Sequence, residues 1–121
     1  MTNKNKPRRK ENEAFAIARF IKGSERKLNL LAQLIRGKTA QKALVDLEFS
    51  HRRMAREVKK VLESAIANAE NNNKLRPETL RIKEAVAGTA TTLKRFQPKA
   101  RGSAGPILKR RCHIKITLSD E

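Results

Sequence analysis

Between Glu13 and Lys22, Phe15, Ile17 and Ile21 fall on one side of an extended chain, and Ala16, Ala18 and Phe20 fall on the other. This predicts a strand with both faces partly covered, ended by Gly23. The period then changes. Leu28, Leu31, Ala32 and Ile35 recur at helical spacing behind Ser24, which stands where an N-cap belongs, and a basic last turn at Arg36 followed by Gly37 marks the stop. A second helix is predicted behind Thr39, with Ala40, Ala43, Leu44 and Leu47 as its buried stripe, Lys42 and Asp46 outward, and Phe49 and Ser50 closing it. The third and longest runs over about residues 51–71, with Met54, Val58, Val61, Leu62, Ala65 and Ala69 on one side. At about 1.5 Å per residue it spans about 30 Å. Its small residues Ala65, Ala67 and Ala69 invite close approach by another element, and Asn71, Asn72 and Asn73 fray it into a loop before Pro77.

Beyond Pro77 the pattern alternates. Leu80, Ile82 and Val86 interleave with Arg81, Lys83 and Ala85, and Ile114, Ile116 and Leu118 interleave with Lys115 and Thr117, which predicts two more strands. Between them Pro98, Gly102, Gly105 and Pro106 supply turn chemistry. The simplest connection is one long antiparallel hairpin over about residues 86–117, bent near residues 101–105. Its outer half has no core-facing stripe. About ten residues beyond the core, at about 3.3 Å each, reach on the order of 30 Å, and a bare two-stranded ribbon of that length is marginally stable in water. The elements predict an α+β fold: a basic tail over residues 1–12 and a single domain over 13–121 that carries the protruding hairpin.

Charge gives the hairpin a purpose. The chain has 29 Lys and Arg against 12 Asp and Glu, a formal charge of +17, and no carboxylate at all between Glu84 and Asp120. Self-repulsion on that scale calls for a polyanion, so a phosphate-rich partner is the first inference. Aromatic residues are only Phe15, Phe20, Phe49 and Phe96, which argues for backbone and shape contacts over a base-stacking platform. The lone Cys112 excludes an internal disulfide and fits a reducing compartment. No stretch is long and apolar enough for a membrane span, and the polar start lacks the apolar run of a secretory signal, so the expected location is the cytosol, with an organelle matrix open.

The leading phosphate contacts are Lys94, Arg95, Lys99, Arg101, Lys109, Arg110 and Arg111, the arginines for their two-pronged grip on phosphate oxygens. Arg26, Lys27, Arg36 and Lys38 stand at the two ends of the first helix, where Ser24 is either a cap or a phosphate ligand. Arg52, Arg53, Arg56, Lys59 and Lys60 crowd the third helix as either a solvated face or a contact surface. Lys4, Lys6, Arg8, Arg9 and Lys10 form either a solvated end or an arm that orders on RNA. Catalysis has little to stand on. His51, His113 and Cys112 lack metal-ligand spacing, no glycine-rich phosphate loop or nucleophile elbow is present, and Glu57, Glu63 and Glu70 suit a helix surface. Neither an enzyme nor a metal, cofactor or small-molecule substrate is expected.

Three segments, RKLNLLAQLIRGK from Arg26, VLESAIANAENN from Val61 and LKRFQPKARGSAGPILKRRCHIKITLSD from Leu93, together resemble the L twenty-two family of bacterial-type large-subunit ribosomal proteins over about residues 13–120. The resemblance implies three helices packed on a three-stranded antiparallel sheet with a long β-hairpin. It also implies binding to large-subunit rRNA, assembly of the subunit, contact with neighbouring ribosomal proteins, and a hairpin lining the nascent-peptide exit tunnel near the macrolide site. It places His113 with the rRNA-binding cations, and Pro98, Lys99, Ala100, Arg101, Gly102, Ser103, Ala104, Gly105 and Pro106 at the tip facing the nascent polypeptide. Ser103 replaces a basic residue usual in the family, Arg111 and Cys112 replace a Thr-Ser pair, and Glu25 replaces a proline. A rival from another class is an architectural DNA-binding protein whose basic ribbon arms wedge a proline into the minor groove.

Overall fold

In the computed structural model, which describes residues 12–120, the helical stripes of the sequence become the core. The elements are β1 (Glu13–Lys22), α1 (Glu25–Ile35), α2 (Ala40–Glu48), α3 (Ala55–Asn72), β2 (Arg81–Thr89), β3 (Leu93–Pro98), β4 (Ala104–Lys109) and β5 (Arg111–Ser119). Leu28, Leu31, Ala32 and Ile35 of α1 are fully buried, and Val58, Val61, Leu62, Ala65 and Ala69 of α3 join them. All three helices lie on one side of an antiparallel sheet ordered β1-β5-β2. Its central strand, β5, buries Cys112, Ile114, Ile116 and Leu118 against them, so the strand with the cleanest alternation is also the best covered. The fold is α+β. The tail cations at positions 4 to 10 lie outside the described residues.

Five predicted details differ. The third helix begins at Ala55, about four residues late, because residues 52–55 form a turn closed by Ala55 N–H to the Arg52 carbonyl, with Met54 as the N-cap residue. That turn seats Met54 against Gly23, where a β-carbon would come within 2.8 Å of the Met54 sulfur and where φ is +144°. Ala67 is exposed, so the close approach is made through Ala65 and Ala69 alone. Arg36 is the C-cap residue of α1, outside its last turn. In β1, the core face is Ala14 and Ala16, while Ile17 points outward; a register shift between Ala18 and Ile21 then turns Ile21 inward. In β2 a second shift, between Ile82 and Glu84, brings Ala85 to the core beside Ile82 and leaves Val86 half exposed. Each bulge inserts a residue, and side-chain phase reverses across it.

The hairpin is built in two stages. Its base, β2 and β5, belongs to the main sheet, and its outer part is a separate two-stranded ribbon, β3 paired with β4. Residues 90–92 and 110 interrupt the ladder between them, with the Ala90 N–H donating to the Arg111 carbonyl and the Gly23 N–H to the Arg110 carbonyl. Six paired residues per strand give a reach of about 20 Å before the turn. The bend lies at residues 99–103, earlier than predicted: the Lys99 N–H donates to the Ser103 carbonyl at 2.7 Å, and Arg101 and Gly102 take positive φ. Gly105 and Pro106 are strand residues, opposite Gln97 and Phe96.

Candidate nucleic-acid interface

The ribbon offers almost everything to solvent. Every residue from 94 to 109 except Gly105 is exposed, so Lys94, Arg95, Lys99, Arg101 and Lys109 are presented free of any core. Cross-strand partners in a ribbon share a face. The pairs Lys94 with Leu108, Phe96 with Pro106 and Pro98 with Ala104 therefore share one side, apolar except for Lys94 near the base, while Arg95, Ile107, Leu93 and Lys109 share the other. Neither proline occupies the turn, which is Ala100, Arg101 and Gly102.

Where the hairpin leaves the sheet, the fold joins two groups that the sequence kept apart. Ser24, Glu25 and Arg26 at the start of α1 meet Thr89, Arg110 and Arg111 around a cleft of about 380 Å³. Ser24 holds an extended N-cap backbone, yet its hydroxyl makes no capping bond and remains on the cleft wall. The Thr89 hydroxyl donates to the Glu25 carboxylate, which ties the helix start to the end of β2. Lys27 is exposed beside them. His113 lies half-buried over Gly88, its cross-strand partner, in a position a β-carbon at 88 would occupy.

The other end of α1 behaves differently. The Arg36 guanidinium donates to the Ala85 carbonyl at 2.8 Å and to Asn29 Oδ1 at 3.1 Å, and Lys38 pairs with Asp46 at 2.6 Å. These two candidates are engaged within the fold. The third-helix cations are better placed than the sequence could say, because Arg52, Arg53, Arg56 and Lys59 line a cleft with Ser50 and His51 at the α2–α3 corner. Sequence reasoning also missed the phenylalanines. Phe20, Phe49 and Phe96 are 59%, 75% and 72% exposed and Phe15 is half-buried. Arg111 lies 5.5 Å from the centre of the Phe20 ring, and the Lys115 ammonium 4.9 Å from that of Phe15. For Phe20 the local signal was an aromatic residue next to Arg19 in a strand.

Cys112 is sealed beneath this corner. Its thiol donates weakly to the Ile21 carbonyl, and burial pushes its pKa up, with the Glu25 charge adding to the rise and Arg53 opposing it. A raised thiol is a poor nucleophile. Among the described residues no three His, Cys, Asp or Glu side chains gather as metal ligands would, and no helix is long and apolar enough to cross a membrane.

Residues 16–119 match the family described as ribosomal protein L22p/L17e. Over 111 residues, 92% of this chain and 87% of the relative, the sequence is 54% identical to the large ribosomal subunit protein uL22 of Methylocella silvestris. It is also 54% identical over 117 residues, 93% of this chain and 91% of the relative, to the protein of the same name from Nitrobacter winogradskyi. With the counterpart from Methylobacterium nodulans the identity is 54% over 110 residues, 91% of this chain and 87% of the relative.

Proposed function

Since the chain belongs to the ribosomal protein L22p/L17e family, we propose that it is a structural constituent of the large ribosomal subunit that binds and organises 23S-type rRNA in the cytoplasmic ribosome. The observation that carries this is the ribbon: a paired, acid-free arm exposed along its length and standing off a well-packed domain. An isolated ribbon of this size is marginal in water, so it suits a partner that surrounds it. Phosphate oxygens fit its cations, and neutralising several phosphates releases counterions, which drives association.

The two-sided ribbon supports the finer part of the proposal, that the arm reaches the wall of the peptide exit tunnel. Arg95 and Lys109 on one side suit rRNA, while on the other Phe96, Pro98, Ala104 and Pro106, beyond the single cation Lys94 near the base, suit a passing polypeptide of varied sequence. Neighbouring large-subunit proteins complete the expected surroundings. No catalytic step is assigned. The architectural DNA-binding alternative needs a proline wedge at the arm's end, and both prolines sit in the strands instead.

The experiment is a crosslinking map on large subunits assembled with this chain and washed in high salt. Lys99 and Lys109 are expected to crosslink to rRNA, and residues 98–106 to a stalled nascent chain. A chain that washes off the subunits and binds any duplex equally well would sink the proposal.

A further inference from the structure

We propose that the clefts around the base of the ribbon form one continuous track for an unpaired RNA strand, with Phe20 as the side chain on which a base stacks. This rests on the RNA-binding reading above and gives it a second, separate seat. Four clefts succeed one another around this end of the domain, and each shares a side chain with the next. The α2–α3 corner cleft meets a second at Arg53; the second meets a third at Phe20; the third meets the Ser24 cleft at Thr89. Followed through these shared side chains, the clefts run from the start of α3 past the end of β1 to the start of α1.

Its lining is strongly one-signed. Nine Lys or Arg face three Glu along the four clefts, and one of the three, Glu25, already accepts a hydrogen bond from Thr89. Such a concave stripe attracts a phosphate backbone. Phe20 lies at the middle, 59% exposed even with the Arg111 guanidinium against its ring. A large apolar ring held in place by a cation on a basic surface offers a platform for any base, because every base has a π-face. Ile17, Ala90 and His113 complete the walls beside it. In a duplex the base faces are stacked inward and out of reach of Phe20, so the chemistry selects an unpaired strand. An acidic peptide would satisfy the cations but leave the ring without a matching partner.

The test uses the full chain and two labelled probes, a uridine oligonucleotide of about ten nucleotides and an RNA duplex of similar length. Phe20→Ala is expected to weaken single-strand binding by about tenfold while leaving duplex binding within about twofold. Leu30→Ala, at a comparably exposed apolar position on α1 away from the track, is expected to change neither. The chain has no tryptophan, so Phe20→Trp installs a single fluorophore in a folded ring position, and its emission is expected to be quenched by the oligonucleotide and not by the duplex. Unchanged emission at saturation, equal losses on both probes, or equal binding of polyglutamate in competition would overturn the track. Retention of Phe20→Ala in salt-washed subunits alongside any of those results leaves the ribosomal proposal standing, whereas absence of the parent chain from subunits removes that proposal itself.

Discussion

Arg36 Nε stands 2.8 Å from the carbonyl oxygen of Ala85, joining the C-cap of α1 to the residue that follows the bulge in β2. The same guanidinium holds Asn29 one side over. A cation that reads as a surface charge in sequence is here a clasp between helix and sheet. Arg36→Ala is expected to lower stability by about 1.5 kcal/mol, the low end for a charged hydrogen bond because the site is part-exposed. Urea unfolding should show a lower midpoint at unchanged slope. Arg36→Lys cannot reproduce the two-pronged geometry and should recover less than half of the loss. An unchanged midpoint in Arg36→Ala would show that the clasp contributes nothing.

Ala85 and Val86 exchange the roles that their sizes suggest. Ala85 is fully buried and Val86 is 50% exposed. Ala85→Leu is therefore expected to overpack the space under α1 and destabilise by about 1–3 kcal/mol, and Val86→Thr to stay within about 0.5 kcal/mol of the parent. Thermal unfolding of the two variants checks the register. The opposite ordering would place the bulge elsewhere.

The same two residues show why the helices were readable and the strand faces were not. Leu28, Leu31, Ala32 and Ile35 lie on an uninterrupted helix, so spacing alone picks out the buried side. The strands carry bulges after Ala18 and after Ile82, and a pattern of period two loses its phase at each. Size misleads as well. Ala14 and Ala16 of β1 face α3, whose Ala65 and Ala69 are buried with them, so small residues mark the interior there and Ile17 and Phe20 are left outside. The ribbon cations were legible because the absence of carboxylates is a linear property. The engagement of Arg36 and Lys38, and the meeting of Arg26 with Arg110 and Arg111, depend on packing that no local pattern records.

Cys112 should make stability depend on alkaline pH. Burial raises its thiol above the ordinary value of 9.0, so the folded chain keeps a proton that the unfolded chain has begun to release. Above that value the unfolded state binds fewer protons than the native state, and unfolding free energy falls as pH rises. The contribution is complete below the unfolded pKa and is lost as pH climbs through the folded one. Cys112→Ala is expected to flatten this part of the decline as pH rises above 9.0. In the parent, iodoacetamide should label the thiol slowly in buffer and readily in urea. Fast native labelling would contradict the sealed position.

Excising residues 94–108 and closing the strands with Asn-Gly, a turn suited to two-residue hairpins, should separate the ribbon from the fold. Those residues bury no core side chain, and the main sheet is already complete with β1, β5 and β2. The urea midpoint of the shortened chain is therefore expected to match the parent's. Binding to rRNA should persist through the cations at the domain end but with a weaker dependence on salt. Four cations leave with the excised segment, Lys94, Arg95, Lys99 and Arg101. If each neutralises a phosphate, the logarithmic salt slope should fall by about three, at about 0.7 per contact with single-stranded RNA. Loss of folding would make the ribbon part of the core. An unchanged slope would mean that its cations meet no phosphate, because counterion release counts contacts whether or not they are sequence-specific.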